Sequence, residues 1–464
     1  MSGPLTLDYA NMMEPNVEGG GVDPERLGGD LAERFAEAFA SVEAERASGR
    51  IGFFDLHYAE EALRQTREVA DGFGQWFENV VVLGIGGSAL GARTVRDALL
   101  GPLWNEQDEE EREHFPRLYV ADNIDPATLT DLLDRLDLRR TLFNVVSKSG
   151  STAETMAVYL VVEERVRQIV GEDEARGHFL FTTDAERGSL REVAEAEGIP
   201  TLAIPANVGG RFSVLTPVGV LPAAVTGVDV EALMAGAAAM DARCRSGTLT
   251  ENPAGVFATL LHTADTELGA PIHVLMPYAD RLRSLGLWFQ QLWAESLGKA
   301  LGVDGEEVHS GPTPLTAVGA SDQHAQVQLF MEGPRDKVVV FVAVHGKPDD
   351  LTIPSHREDV SALAYLGGHT IGELLDVERR ATAEALRQRG RPNMTVEIER
   401  LDAFSLGQVL MMFEIATVYA AALYGVDPLV QPGVELGKEL TYGLLGREGF
   451  ERPSLPDADS RWRI

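Results

Sequence analysis

The chain has 464 residues, 44% of them apolar and 24% charged, with 72 Asp plus Glu against 40 Lys plus Arg and a formal net charge of −32. This is the composition of a soluble globular protein of about two or three domains, and its acidic field excludes nucleic acid and anionic membrane as expected partners. No uninterrupted apolar run approaches the roughly 18 residues of a membrane span, the opening MSGPLTLDYANMM carries no signal-type pattern, and the single cysteine, Cys244, allows no intrachain disulfide and fits a reducing, cytoplasmic setting.

In chain order, residues 1–70 read as a mostly helical segment. Short apolar runs then recur between longer helical patterns: Val80 to Ile85, Arg117 to Ala121, Leu142 to Val146, His178 to Thr182 and Thr201 to Ile204. These runs lack polar alternation, as strands do when helices cover both faces of a parallel sheet. The Ala-rich stretch Val230 to Arg245 predicts a helix, and a second strand series follows at Ile272 to Met276, Thr313 to Val318 and Lys337 to Val344. The expected fold class is α/β, with two doubly wound parallel-sheet domains. Their expected limits are 71–226 and 271–425, joined by a helical connection over 227–270 and followed by a C-terminal helix and arm over 426–464.

Ligands of such sheets bind beyond the carboxyl ends of the strands, where loops meet helix N-termini. Two loops have that placement. Gly84-Ile85-Gly86-Gly87-Ser88-Ala89 matches a dinucleotide fingerprint literally. However, the next strand ends at Asp122, too far on for a ribose-binding acid, so Gly87 and Ser88 suit a small phosphate better. A glycine turn serving only strand–helix packing is the plainer alternative. Ser147-Lys148-Ser149-Gly150-Ser151-Thr152 ends the next strand but one and opens a helix, where hydroxyls and N–H groups can converge on an anion at the positive end of the helix dipole. A simple helix cap would use the same residue types. Only five of the 40 basic residues are lysines (Lys148, Lys299, Lys337, Lys347 and Lys438), which singles them out for work that a compact ammonium does and a guanidinium does not.

Further along, Gly209-Gly210-Arg211-Phe212-Ser213 offers an arginine beside a glycine pair, suited either to negative charge developing on a ligand oxygen or to a structural ion pair. Gln291, Glu295 and Lys299 fall four residues apart on one helical stripe, which reads as a surface Glu–Lys pair or as a carboxylate set among Trp288, Leu292, Trp293 and Leu297 and tuned as a base. His324, in Gly-Ala-Ser-Asp-Gln-His, is by default a structural histidine, and Lys438, in Gln431-Pro-Gly-Val-Glu-Leu-Gly-Lys, reads by itself only as a turn followed by a helix.

Taken together and in this order, these segments resemble the glucose-6-phosphate isomerase family in its shorter bacterial form. GGRFSVLTPVG at 209–219 is close to one signature of that family and QPGVELGK at 431–438 to the core of another, while AESLGK and DQHA resemble its base-bearing and histidine-bearing motifs. The resemblance implies SIS-type domains, no metal or redox cofactor, a sugar-phosphate substrate and a homodimer whose histidine is supplied across the interface. It also implies roles: Glu295 as the base that moves a proton between C2 and C1 through a cis-enediol, Arg211 beside the enediolate oxygen, His324 and Lys438 in ring opening. Gly87, Ser88, Ser147, Lys148, Ser149 and Thr152 match the phosphate loops, and Gln291 and Gln431 supporting contacts. Three positions depart from the family pattern: Leu429-Val430 replaces an aromatic followed by an acid or amide, and Ser151 replaces threonine. Three other functions remain open on the sequence: isomerisation of mannose 6-phosphate, a non-catalytic sugar-phosphate sensor, and a nicotinamide dehydrogenase.

Overall fold

The computed structural model describes residues 3–347, 349–456 and 459–464. A short strand β1 (Thr6–Asp8) opens the chain, followed by helix α1 (Asp30–Ala47). The strands β2 (Asn79–Leu83), β3 (Arg117–Ala121), β4 (Thr141–Val146), β5 (Phe179–Asp184) and β6 (Thr201–Ile204) form an all-parallel sheet in the order β3-β2-β4-β5-β6. Helix α2 (Gly87–Leu99) follows β2, and α3 (Ala153–Val170) follows β4. The helices α4 (Val230–Arg243) and α5 (Pro253–Thr266) then connect to β7 (Ile272–Pro277) and α6 (Arg283–Leu297).

The second sheet has the order β1-β12-β11-β7-β10, with β10 (Thr313–Thr316), β11 (Lys337–Gly346) and β12 (Asn393–Arg400) parallel to β7. β8 (Lys299–Leu301) and β9 (Glu307–Ser310) make a separate antiparallel pair. The chain ends with α7 (Ala403–Tyr424), α8 (Glu435–Leu445) and an arm.

Two features differ from the sequence reading. β1 lies in the segment expected to be helical, and it pairs antiparallel with β12, so the N-terminus covers the edge of the second sheet. β12 itself is not among the expected strands, because its apolar residues Met394, Val396 and Ile398 alternate with polar ones, Asn393 and Thr395 among them buried too, instead of forming an unbroken apolar run.

Alternation along the strands sets the layers. In β2, Val80 and Val82 face a core shared by both sheets, whereas Val81 and Leu83 face outward onto α3 through Val158 and Val162. In the second sheet Leu275, Val340 and Val396 enter the shared core, and Val274 and Phe341 pack on the far side with Leu386. α7 runs through the middle of that core. By length and mean hydropathy it could cross a membrane, although Ser405, Gln408, Glu414 and Thr417 interrupt its apolar run, and 89% of its apolar window is buried inside the protein. Within it lies Glu414, fully buried, with neither carboxylate oxygen hydrogen-bonded to a described residue. Burial raises its pKa well above the usual carboxylate range.

Candidate active site

The carboxyl ends of β2, β4 and β6 each lead into one of the loops singled out in the sequence. After β2, Gly86 takes a positive φ of 56° and starts α2. A Cβ on Gly87 would come within 2.3 Å of the Gly210 carbonyl, so glycine there lets the first loop lie directly against the loop carrying Arg211. After β4, Ser147 is buried, its N–H donating to Thr182 O at 3.1 Å and its Oγ lying 3.2 Å from Thr152 Oγ1. Thr152 stands at the N-cap of α3 but makes no capping side-chain bond, which leaves its hydroxyl facing Ser147. Ser149 Oγ accepts from the Ser151 N–H and hydroxyl at 3.3 and 3.2 Å.

Lys148 does not stand free in this loop. Its Nζ donates to the carbonyls of Ala206 (2.7 Å) and Val208 (2.9 Å) in the turn after β6. Burial pulls its pKa below the usual lysine value, against the opposing charge of Asp184.

Arg211, only 3% exposed, is the hub. Its Nε donates to Ser296 Oγ at 2.8 Å, and Nη1 donates to Glu295 Oε2 at 3.1 Å and to Gln431 Oε1 at 3.0 Å. Nη2 donates to the carbonyls of Pro428 and Val430. Burial lowers the guanidinium pKa, and the Glu295 charge opposes that shift. The substituted pair Leu429-Val430 therefore leaves the arginine's contacts in place, since they run through main-chain carbonyls and Gln431.

Glu295 sits near the end of α6, where its side chain keeps 28% exposure. Gln291 Nε2 lies 3.4 Å from the same carboxylate oxygen, and Gln291 Oε1 is left without a partner among the described residues. Trp288, Leu292, Trp293 and Leu297 are buried on other sides of the helix, so the carboxylate faces a guanidinium and an amide, not the apolar pocket suggested by the sequence. Lys299 does not pair with the Glu295 carboxylate either. Its Nζ donates to the main-chain oxygens of Glu295 and Ser296, both at 2.7 Å, closing the helix end. Burial and the nearby Arg211 bring its pKa down to about 8.

The helix is fixed from below by a pair the sequence reading missed: Trp293 Nε1 donates to His273 Nδ1 of β7 at 3.1 Å. His273 is completely buried and its pKa falls to about 3, which keeps the imidazole neutral and able to accept. Ser296 was also missed, although it directly follows Glu295.

Two expected residues stay apart from this centre. His324 ends a short turn, Ser321–His324, beyond β10. Asp322 and Gln323 anchor the turn through Val318 N (2.6 Å) and Tyr278 OH (2.6 Å), while His324 is exposed and makes no hydrogen bond or ion pair to a described residue. Lys438 lies on α8, where Nζ contacts Glu435 Oε1 at 2.7 Å. It borders a cleft of about 670 Å³ whose opposite wall is Ser149, Ser151 and Thr152, so the second phosphate-type loop and Lys438 line the same space. Among the described residues no group of three or more His, Cys, Asp or Glu is arranged to hold a metal ion.

Comparison with known proteins gives a consistent picture. A family model described as phosphoglucose isomerase matches residues 61–448. The chain is 44% identical over 452 residues to a glucose-6-phosphate isomerase of Carboxydothermus hydrogenoformans, covering 96% of each chain. It is 45% identical over 452 residues to that of Rubrobacter xylanophilus, covering 96% of this chain and 99% of the relative. Among solved structures, a hypothetical protein of Thermus thermophilus superposes with a TM-score of 0.84 at 37% identity over 96% of this chain and 100% of the other. A glucose-6-phosphate isomerase of Chlamydia trachomatis shares the fold, with a TM-score of 0.80 at 21% identity over 94% of this chain and 92% of the other. The two-sheet architecture, the loops at its strand ends and these matches along nearly the whole chain lead to one conclusion: the chain belongs to the phosphoglucose isomerase family.

Proposed function

We propose that this chain interconverts glucose 6-phosphate and fructose 6-phosphate, an aldose–ketose isomerisation used in glycolysis and gluconeogenesis, with Glu295 as the base. The observation that carries this reading is the Glu295–Arg211 contact at 3.1 Å, a partly exposed carboxylate beside a buried guanidinium. Moving a proton between adjacent carbons needs a base within reach of both and a fixed positive charge where the enediolate oxygen forms. Glu295 takes the proton from one carbon of the open-chain sugar and returns it to the other, through a cis-enediol. Arg211 is preorganised by five acceptors, so it need not reorient as charge builds on the sugar oxygen.

Ser88, Ser147, Ser149 and Thr152, with the backbone at Gly87 and Lys148, hold the phosphate. This fixes the reacting carbons at a distance from the anion. Gln291, whose Oε1 is unpartnered among the described residues, and Gln431 bind sugar hydroxyls. His324 and Lys438 serve ring opening and closing.

The working unit is a homodimer in which His324 reaches the site of the partner subunit. Two observations support this: His324 has no hydrogen bond or ion pair to a described residue of its own chain, and α8 leaves Leu436 and Leu445 at 65% and 77% exposure. The buried free thiol of Cys244, its pKa pushed up to about 12 by burial, fits a cytoplasmic location.

The test is conversion of fructose 6-phosphate by purified wild type and Glu295→Gln, with chelator present and no cofactor added. Turnover by wild type and its collapse in Glu295→Gln, with sugar-phosphate binding retained, is the expected result. A folded wild type without turnover would overturn the reading.

A further inference from the structure

Lys148 is one of five lysines in the chain, and its position in the phosphate-type loop suggests an ammonium that touches the phosphate. The structure places that ammonium elsewhere. The loop is pinned to β5 by the Ser147 N–H donating to Thr182 O (3.1 Å) and by the Thr183 hydroxyl donating to Ser147 O (2.7 Å). From there the Lys148 side chain crosses the end of β5 to the turn after β6, because the strand order is β4-β5-β6. Because β5 lies between the two strands, the crossing needs a long side chain. At its far end two of the three ammonium donors are taken by Ala206 O (2.7 Å) and Val208 O (2.9 Å), three residues before Arg211.

The same turn is held from its other side. Gly52 N–H donates to Asn207 O at 3.0 Å, Asn207 Nδ2 donates to Gly49 O at 2.8 Å, and Phe212 stacks on Phe53 with centroids 5.2 Å apart and planes at 4°. A turn clamped on both sides has little freedom to move independently of the phosphate loop. Lys148 is the clamp that joins the two.

We infer that Lys148 is a positioning residue for the isomerisation: its ammonium ties the phosphate loop to the turn carrying Arg211, so that phosphate binding is coupled to charge stabilisation at the reacting carbons. This rests on the function proposed above. Through the tie, the phosphate group remote from the reaction aligns the guanidinium as well as the substrate.

The test is a double-mutant cycle on the full-length protein with Lys148→Met, Arg211→Lys and the pair, measuring kcat and KM for fructose 6-phosphate and the inhibition constant of inorganic phosphate. Lys148→Met should lower kcat by about tenfold or more, the loss typical of a charge-assisted hydrogen bond, while the phosphate inhibition constant shifts by less than about twofold. In the Arg211→Lys background the same substitution should cost less than about twofold, because there is no longer an aligned guanidinium to lose. Lys148→Arg, which keeps a cation and donors, should recover part of kcat, and it serves in the cycle if Lys148→Met does not fold. Weakened phosphate inhibition with kcat intact would make Lys148 a direct phosphate ligand and overturn the inference, as would equal losses in both Arg211 backgrounds. A wild type that does not isomerise the sugar phosphate would fail the proposed function instead, which keeps the two failures distinct.

Discussion

The surroundings of Arg211 and of His324 are opposites. Arg211 is 3% exposed and donates to five acceptors drawn from two distant segments, the end of α6 and the turn before α8, whereas His324 sits on an exposed turn with no hydrogen bond or ion pair to any described residue. The first kind of environment fixes a charge in advance. The second presents a group to something outside the chain. On the reading proposed here, one subunit completes the half of the site that stabilises the enediolate and leaves the half that handles the ring to its partner.

The most decisive way to break this comparison is complementation. Glu295→Gln and His324→Ala should each be nearly inactive as homodimers, and co-assembled subunits of the two variants should regain turnover, because one of the two sites then has both residues intact. If mixing restores nothing in a protein shown to form mixed dimers, His324 acts within its own chain. Next in size is Arg211→Lys, which keeps the charge but loses the fork of contacts. A kcat loss on the order of 100- to 1000-fold is expected, as for removal of a preorganised donor. A loss of affinity with kcat preserved would mean that Arg211 only binds.

Support behind the rigid half can be tested through stability. Asp241 is buried and accepts from Arg46 at 2.6 and 2.8 Å, with His57 Nε2 at 3.4 Å. The Arg46 guanidinium in turn lies 4.2 Å from the Phe54 ring centre, in an aromatic column that continues through Phe53 to Phe212. Burial pushes the Asp241 pKa up, but His57 and Arg46 outweigh it and hold the carboxyl below its usual range. Its stabilisation is therefore full above the unfolded carboxylate pKa and is lost as pH falls. Asp241→Asn should destabilise by about 3 kcal/mol at neutral pH and by less in acid, measured by denaturant unfolding.

Glu414 has the opposite sign. Its folded pKa is raised, so the folded chain binds the proton more tightly, and stability is full below the unfolded carboxylate pKa and declines as pH rises. Glu414→Gln should raise Tm at about pH 8 and change it little near pH 4. The smallest effect belongs to the exposed rim. Glu435→Gln removes the contact to Lys438 on α8, where both side chains are about half exposed, and should alter stability by no more than ~0.5 kcal/mol.

The strand ends and the loops beyond them were legible in the sequence because buried parallel strands are written as unbroken apolar runs. β12 was not, since its apolar residues alternate with polar ones, and β1 has only three residues and acquires its meaning from a partner almost 400 positions away. Within the site, residue types were legible and their directions were not. Glu295 stands out in the sequence, but its apolar sequence neighbours face away, and its environment is set by Arg211 and Gln291. Lys148 and Lys299 stand out by scarcity, yet both spend their donors on main-chain carbonyls, which no side-chain pattern encodes. The His273–Trp293 bond joins a strand to a helix that packs on it, and nothing in either local pattern announces it.

The central claim is that Glu295 moves a proton between C1 and C2. It is tested most directly by letting the enzyme convert fructose 6-phosphate in D2O and measuring deuterium at C2 of the glucose 6-phosphate formed. The account predicts deuterium there with wild type in the fraction of turnovers in which the proton held on Glu295 exchanges with solvent before it is returned, and neither product nor exchange into substrate with folded Glu295→Gln that still binds the sugar phosphate. Undiminished turnover or undiminished exchange in folded Glu295→Gln would contradict it.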